Sequence, residues 1–250
     1  MHHSLAFPAL LSLAFLSACG GAPGPSATSV PSAPGLALEL GFEDSCQAVA
    51  VTELSVETPP AGIAFGPGVE GLAARFDGSG AALKLRGLDR LGIREAMTLE
   101  FFVNAADWKN PYGAGGGLES MVSHSDIFTV AFDPHSWKLQ ARLTTAASET
   151  SLRLSGGTIQ PGSWHHVALV MDGALGQARL VLDGEVVDEV AAKGSVAVNS
   201  KLDLVVGTWF QKNQAFCGAL DSIRIWNRAL SLDELRARAA SGTPARASSS

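Results

Sequence analysis

Short apolar segments separated by turn signals run along most of the chain. In residues 36–42 every second residue is leucine or phenylalanine, and Ile223 and Ile225 alternate with polar residues near the other end. A period of two residues is typical of a β-strand with one buried face. Further strands are predicted at residues 81–85, 97–103, 127–132, 137–143, 151–154, 164–171, 179–182, 186–190 and 202–206.

The turns between these segments are marked by Asp-Gly and Pro-Gly pairs at residues 77–78, 161–162, 172–173 and 183–184. Helical periodicity is almost absent, except that Ser231 and Glu234 form a capping box ahead of residues 235–239. Parallel βαβ units would need a helix between successive strands, which this pattern does not provide. The sequence therefore predicts an all-β, antiparallel two-sheet sandwich with a short C-terminal helix.

Composition narrows the domain count and the class of partner. The chain has 250 residues, of which 46% are hydrophobic and 17% charged, and this length suits one domain with a substantial core. Its formal net charge is -6, and the lysines and arginines are scattered singly, with no basic patch or arm in the sequence. Binding to a phosphate backbone needs clustered basic residues, so the composition argues against a nucleic-acid partner.

The amino terminus has the pattern of an export signal. Residues 1–18 lack acidic groups, and their apolar stretch is too short to span a bilayer as a helix. Residues 16–20, Leu-Ser-Ala-Cys-Gly, resemble the lipobox of bacterial lipoproteins, although histidines stand near the start where Lys or Arg is usual. The resemblance implies a lipid anchor at Cys19 in a bacterial membrane, facing the outside of the cell, with an ordinary secretory signal as the alternative.

Both ends of the mature chain have compositions that do not support a packed core. Residues 19–35 follow the predicted cleavage site and are rich in Gly, Pro and Ser, so we expect the acylated cysteine to be followed by a flexible tether. Residues 241–250 are expected to be disordered for the same reason. The folded domain is therefore predicted to span residues 36–240.

The cysteines allow one bridge. Acylation of Cys19 would leave Cys46 and Cys217 as an even pair in an oxidising compartment, where a disulfide can persist. Closing so long a loop would stabilise the domain by roughly 5 kcal/mol at most. We predict a disulfide between the two, with a pair of buried thiols as the alternative.

The same bridge would fix the pairing of the first and last strands. If the two cysteines of the bridge lie opposite each other in an antiparallel pair, Leu40 falls opposite Ile223 and Leu38 opposite Ile225. The apolar side chains of both strands then share one face, whereas a slip of one residue would mismatch them. The pattern predicts that the first and last strands are neighbours.

Several motifs together resemble one family. They occur in order at residues 74–79, 97–103, 164–170, 179–184, 204–207 and 218–231, the last reading Gly-Ala-Leu-Asp-Ser-Ile-Arg-Ile-Trp-Asn-Arg-Ala-Leu-Ser. These segments resemble the laminin-G-like, concanavalin A-like jelly roll, over about residues 36–240. The resemblance implies two curved antiparallel sheets, with any ligand bound on the concave face or at the loop rim.

The resemblance also implies a structural calcium ion between the first and last strands. Glu43 follows the first strand, and Asp221 begins the last one, nearly opposite. Clustered carboxylates repel each other, and Ca²⁺ would relieve that repulsion. Strict alternation places the two on different faces, so the site needs a bulge, a backbone carbonyl or Asp44 as a substitute ligand. Ordinary solvated carboxylates are the alternative.

Ligand recognition is predicted in two loops that combine aromatic rings with amides. The first, residues 107–113, contains Trp108, Asn110 and Tyr112, and the second, residues 209–214, contains Trp209, Phe210, Gln211 and Asn213. Aromatic rings stack on the apolar faces of sugars, while amides read the hydroxyls. The alternative is that these rings fold back and cover the end of the sandwich.

Catalytic patterns are weak. The glucanase pattern Glu-x-Asp-x-(x)-Glu is absent, and residues 185–189 approach it only with the wrong spacing. His165 and His166 are neighbours on a strand, so they face opposite sides and are expected to be structural. His124 and Asp126 could bind a metal only with a third ligand, and solvated loop positions are expected for both.

The leading hypothesis is thus a non-catalytic, membrane-anchored recognition module that binds glycan or cell-envelope polysaccharide, located at the outer membrane or cell surface. A protein-binding or adhesive surface module without a sugar site is the alternative. A glucanase-type glycoside hydrolase is the third hypothesis, and it would need two carboxylates about 5 Å apart in a cleft.

Overall fold

The computed structural model describes residues 33–43, 46, 48–50, 54–57, 63–107, 117–124, 127–147, 151–196, 202–209 and 214–242. These residues form strands, a short 3-10 helix at Leu88–Leu91 and one α-helix, α1, at Leu232–Ser241. The strands are β1 Leu36–Leu40, β2 Val49–Ala50, β3 Ser55–Glu57, β4 Ile63–Pro67, β5 Leu72–Asp77, β6 Leu83–Arg86, β7 Ala96–Ala105, β8 Glu119–His124, β9 Phe128–Phe132, β10 Lys138–Leu143, β11 Leu152–Thr158, β12 His165–Asp172, β13 Gln177–Leu182, β14 Glu185–Ala191, β15 Leu204–Val206 and β16 Cys217–Trp226.

The strands form two antiparallel sheets, which confirms the predicted sandwich. The nine-stranded sheet has the order β14-β13-β12-β7-β16-β1-β2, with β5 pairing β16 and β4 pairing β5. The seven-stranded sheet has the order β11-β10-β9-β8-β15-β6-β3. Alternate side chains of both sheets point into one shared apolar core, in which Phe101, Phe132 and Leu220 are fully buried. Among the described residues, no helix combines the length and the apolar character that crossing a bilayer requires.

The predicted register between the first and last strands is confirmed. In the β1–β16 pair, Leu38 lies opposite Ile225 and Leu40 lies opposite Ile223. All four side chains are completely buried, as the shared apolar face requires. Burying an aliphatic side chain of this size stabilises a fold by about 1.5–3 kcal/mol, so a slip of one residue would cost several such contributions.

The disulfide predicted between Cys46 and Cys217 is not formed in the structure. The prediction was wrong because it assumed that the first strand continues to residue 46. The strand ends at Leu40, and Phe42 has a φ of 60°, which turns the backbone out of the extended conformation. Cys217 therefore pairs with Asp77 of β5 instead.

The two sheets approach each other closely where β11 lies beside β14. The backbone N–H of Ser155 donates a hydrogen bond to Asp188 Oδ2 (2.7 Å). Gly156 faces the carbonyl of Val187 so closely that a Cβ at this position would clash with it. Glycine at this position therefore allows the edge strands of the two sheets to meet, which protects both edges from pairing with another chain.

Helix α1 begins with the predicted capping box. Ser231 Oγ accepts a hydrogen bond from the Glu234 backbone N–H, and Glu234 Oε2 accepts one from the Ser231 N–H (2.9 Å). Arg228 donates to both carboxylate oxygens of Glu234, and this contact lowers the pKa of the carboxyl to about 2. The cap fixes the position where the chain leaves β16 and enters the helix.

Ser231→Ala is expected to lower the free energy of unfolding by about 1 kcal/mol, because the N-terminal amides of the helix lose their side-chain acceptor. Urea unfolding would measure this loss. Ser163→Ala, in an exposed turn between β11 and β12, removes the same hydroxyl without a cap and is the control. We expect it to change the free energy by less than about 0.5 kcal/mol; equal losses in the two variants would contradict the role of the cap.

A second, smaller core lies between α1 and the outer face of the nine-stranded sheet. Leu235 is buried there beside Trp226, and Glu100 is only 1% exposed. Glu100 Oε1 accepts a hydrogen bond from Trp226 Nε1 (2.9 Å) and lies 3.2 Å from the guanidinium of Arg238, while Oε2 lies 3.1 Å from His166 Nε2. The Arg238 guanidinium also lies 4.5 Å above the centre of the Trp226 ring. One buried carboxylate thus joins the helix to two strands.

Candidate functional site

The two loops predicted to bind a ligand follow β7 and β15. Asp107 is exposed at the start of the first loop, and Trp209 is half-buried at the start of the second. The other predicted ligand-binding residues, Trp108, Asn110, Tyr112, Phe210, Gln211 and Asn213, lie outside the described residues. The described positions that flank them therefore locate the site.

The described positions after the two loops lie close together at one end of the sandwich. Gly117, the first described residue after the first loop, lies beside Gln214, which ends the second loop, and a Cβ built at Gly117 would lie 2.8 Å from Cγ and Nε2 of Gln214. A side chain at position 117 would require the Gln214 side chain to move. The sequence places the two loops far apart, and the sheet order makes them neighbours.

Backbone hydrogen bonds tie the bases of both loops to the sheets. The Phe216 N–H donates to the Gly207 carbonyl (2.9 Å), which closes the second loop on itself. The Ala106 N–H donates to the Cys217 carbonyl (3.0 Å), which holds the first loop against β16. Gly207 has a φ of 93°, and a Cβ there would clash with the ring of Phe76. The backbone positions where the two loops begin and end are therefore fixed by hydrogen bonds.

Aromatic rings form the base beneath the loops. The Phe216 ring lies 5.9 Å from Phe76 and 6.4 Å from Phe132, both in edge-on geometry. Trp137 stacks on the other side of Phe132, with ring centroids 5.4 Å apart. Such pairs contribute about 0.5–1.5 kcal/mol each beyond the area they bury. This cluster gives the rim a rigid support.

A buried carboxyl group lies directly under the rim. Glu119 is 1% exposed at the start of β8, in register with Phe132 on the inner face of the seven-stranded sheet. Its Oε2 accepts a hydrogen bond from the backbone N–H of Cys217 on the opposite sheet (3.4 Å). Burial raises the pKa of Glu119 to about 8, although that hydrogen bond lowers it in part. Nothing in the sequence distinguished this residue, because the glycine run before it obscures the start of the strand.

The predicted metal ligand Asp221 holds a turn instead. It is completely buried, and Oδ2 accepts hydrogen bonds from the backbone N–H groups of Val69 (2.8 Å) and Glu70 (2.9 Å). Burial raises the pKa of Asp221, and these N–H donors lower it in part. A bulge in β16 after Asp221, with Ser222 at a φ of 49°, directs the carboxylate to this turn.

The second predicted ligand, Glu43, holds the other end of the same turn. Its Oε1 accepts a hydrogen bond from the Leu72 N–H (3.2 Å), and a Cβ at Gly71 would clash with the carboxylate. Arg224 supports the turn as well, because it donates to Glu70 (2.6 Å) and Glu39 (2.7 Å). Turn residues 68–71 are thereby held by side chains from β16 and from the segment after β1.

The two carboxylates predicted to bind calcium hold opposite ends of one turn. Both carboxylates accept hydrogen bonds from peptide N–H groups, Asp221 through Oδ2 and Glu43 through Oε1. In the part of the chain that the structure describes, no group of three or more His, Cys, Asp or Glu side chains is arranged to hold a metal. Asp44, the substitute ligand, lies outside that part. The calcium ion stays a prediction of the family resemblance.

The histidines have structural positions. His165 Nδ1 lies 2.7 Å from Asp183 Oδ2, and its Nε2 accepts a hydrogen bond from the Gln160 N–H (2.9 Å). His124 was expected to be a solvated loop residue, and that expectation is wrong. It is completely buried on β8, with its ring 6.3 Å from that of Phe128. Asp126, its suggested co-ligand, lies outside the described residues.

Comparison with known families identifies this architecture. A sequence profile described as the concanavalin A-like lectin/glucanases superfamily, Laminin_G_3, matches residues 77–236. No curated protein matches the chain by sequence.

Solved structures share the fold at low sequence identity. The binding domain of Paraclostridial Mosquitocidal Protein 1 superposes with a TM-score of 0.67 at 14% identity, over 82% of this chain and 52% of that one. The binding domain of botulinum neurotoxin serotype G gives 0.64 at 10% identity, over 82% and 50%. The chain thus spans about half the length of these toxin domains.

A third similar structure matches over almost its full length. It is domain 4 of AbnA, a GH43 extracellular arabinanase from Geobacillus stearothermophilus, in complex with arabinotriose. The TM-score is 0.60 at 16% identity, over 82% of this chain and 98% of that domain. At these identities the similarity establishes the fold.

Proposed function

Because the chain belongs to the concanavalin A-like lectin/glucanases superfamily, we propose that it is a non-catalytic recognition module that binds glycan at the rim formed by its two aromatic-polar loops. The contact between Gly117 and Gln214 carries this proposal, because it brings together two loops that each combine aromatic and amide side chains. Aromatic rings and amides at one rim are the groups with which proteins bind the faces and hydroxyls of sugars.

The similar structures support a binding role. Two of them are binding domains of toxins, and the third was solved with arabinotriose. The match with the third covers 98% of that domain. A glycan, including a cell-envelope polysaccharide, is therefore the ligand class that we propose for this chain.

The electrostatics of the buried carboxyl under the rim support a role without catalysis. Retaining glycoside hydrolysis needs two carboxylates about 5 Å apart, each affecting the charge of the other. Burial raises the pKa of Glu119, and the one further contribution is the N–H of Cys217, which lowers it. Among the described residues no second carboxylate contributes to this pKa, which favours a protonated, structural Glu119 near neutral pH.

We further propose that acylated Cys19 anchors the module to a bacterial membrane on its outer side, with residues 19–35 as the tether. The lipobox resemblance of residues 16–20 supports this anchor. A tether of this composition would keep the rim near the membrane surface while letting it reach its ligand.

An adhesive surface without a sugar site would require an exposed apolar patch. In the described residues the exposed large hydrophobic side chains are Leu175 and Val186. Leu175 lies in the turn between β12 and β13, and Val186 lies on β14. Single exposed residues of this kind are normal on a monomer surface. This observation favours the glycan rim over the adhesive surface.

A glycan array probed with the full chain and with the Trp108→Ala/Trp209→Ala variant tests the rim. We expect the wild type to bind one class of glycan and the variant to lose about 10-fold or more in affinity, since each sugar-stacking ring contributes about 1 kcal/mol or more. Leu175→Ala, which removes an exposed apolar side chain elsewhere, is the control and should bind as the wild type does. A wild type that binds no glycan would refute the proposal.

A further inference from the structure

The outer face of the seven-stranded sheet carries one row of register partners, all of them polar except Val205. Lys84 of β6 pairs with Val205, and Ser123 of β8 pairs with Val205 from the other side. The row continues through Thr129 of β9 and ends in the arginine pair, defined here as Arg142 of β10 and Arg153 of β11. The residues before and after these positions point into the core, so the row faces outward.

The arginine pair places two like charges directly opposite each other. Arg142 and Arg153 are register partners, so their Cβ atoms lie about 4.5–5.5 Å apart, a spacing at which like charges destabilise a sheet. Arg142 donates to Ser151 Oγ (3.3 Å), and its Nε is buried with no hydrogen-bond partner among the described residues. Neither guanidinium forms an ion pair with a carboxylate of the described chain.

Most other arginines in the structure do have carboxylate partners. These ion pairs are Arg86 with Asp203, Arg224 with Glu39 and Glu70, Arg228 with Glu234, Arg236 with Glu185, and Arg238 with Glu100. The net charge of the chain is -6, so carboxylates are in excess. The arginine pair differs from these residues, because its two guanidinium groups are register partners and neither has a described carboxylate partner.

Among the described residues around the pair, a further cation lies on the same face and the neighbouring carboxylate has other partners. Lys138 is exposed and alternates with buried Leu139 on β10, which adds a third cation to the same face. Asp188, on the neighbouring edge strand β14, accepts hydrogen bonds from the backbone N–H groups of Ser155 and Glu189 with its two oxygens. In the connection between β10 and β11 the acidic residue is Glu149, which lies outside the described residues.

We propose that this face binds an anionic polysaccharide, with a carboxylate or sulfate group of the polymer held between Arg142 and Arg153. Guanidinium groups bind planar oxyanions with two parallel hydrogen bonds, and an anion between the two relieves their repulsion. Gln140 and Thr129, both half-exposed beside the pair, supply groups for sugar hydroxyls. The inference rests on the proposed glycan-binding function and narrows its ligand to an acidic polymer.

The test measures binding of the full chain to polygalacturonate and dextran sulfate, with neutral dextran as the uncharged polymer, by affinity electrophoresis. We expect binding to the acidic polymers that weakens as salt is raised. Arg142→Gln/Arg153→Gln should reduce that affinity by about 10-fold or more, since the charged hydrogen bonds of both guanidinium groups are lost. Arg90→Gln/Arg94→Gln, which removes the same charge from exposed positions in the connection between β6 and β7, should stay within about twofold of the wild type.

The possible outcomes separate this inference from the proposed rim site. Binding of neutral glycans through Trp108 and Trp209, with no binding of either acidic polymer, overturns the arginine site and leaves the rim proposal standing. Acidic-polymer binding that the arginine variant loses and the tryptophan variant keeps supports the arginine site and counts against the rim. Equal losses in both arginine variants, or binding of neutral dextran as strong as that of the acidic polymers, overturn the inference.

Discussion

Replacing Glu100 with alanine is expected to lower the free energy of unfolding by about 3–5 kcal/mol, because one buried partner of an ion-paired cluster is removed. Glu100 accepts from Trp226 and lies within ion-pair distance of Arg238 and His166. Without it, the indole N–H and a largely buried guanidinium lose their acceptor beneath helix α1. The helix is therefore expected to detach from the sheet before the rest of the domain unfolds.

Chemical denaturation followed by far-UV circular dichroism measures this loss. Glu185→Ala is the matched control, because Glu185 also pairs with an arginine of α1, Arg236, but its side chain is 69% exposed. An exposed pair contributes about 1 kcal/mol or less, so the control should be close to the wild type. If the two variants lose the same free energy, the buried carboxylate does not hold the helix.

Replacing Glu119 with glutamine is expected to remove a large pH dependence from the stability of the domain. The pKa of this carboxyl is raised from 4.5 to about 8 because it is buried between the sheets. In the pH range between those values the native state holds a proton that the unfolded state has released. Stability from this group is therefore fully present below pH 4.5 and is lost as the pH rises through about 8.

The size of the effect follows from the shift in pKa. Each unit corresponds to about 1.4 kcal/mol, so the contribution reaches up to about 5 kcal/mol. Glutamine keeps the acceptor for the Cys217 N–H and carries no charge at any pH. The measurement is the difference in unfolding free energy between wild type and Glu119→Gln at about pH 5 and about pH 9. We expect the wild type to lose several kcal/mol relative to the variant at the higher pH; a difference that does not change with pH would contradict the buried, protonated state.

The strands that the sequence predicts well are those whose apolar residues alternate. Leu38 and Leu40 required one register with Ile223 and Ile225, and the structure has that register. Strand β8, Glu119–His124, could not be predicted in this way, because all its residues are buried although several are polar. Its outward serines are covered rather than solvated, and no periodic pattern in the sequence indicates such burial. The predicted disulfide is not formed for a local reason, because the left-handed backbone at Phe42 ends the extended segment.

The candidate site could also be predicted only in part. Composition alone singled out both loops, but the contact between Gly117 and Gln214 depends on which strands are neighbours, and this is set by the whole sheet. The arginine pair was overlooked because Arg142 and Arg153 stand apart in the sequence, where basic residues look scattered. They meet only through the register of β10 and β11, which the hairpin between them determines.

Hydrogen–deuterium exchange of the full chain with and without its best-bound glycan tests the central claim most directly, since it locates the bound ligand on the chain. A ligand at the rim is expected to slow exchange in peptides covering residues 107–118 and 207–216, while the peptides of α1 and the nine-stranded sheet stay unchanged. Protection confined to other segments, or no protection by any glycan at saturating concentration, would contradict a glycan-binding rim.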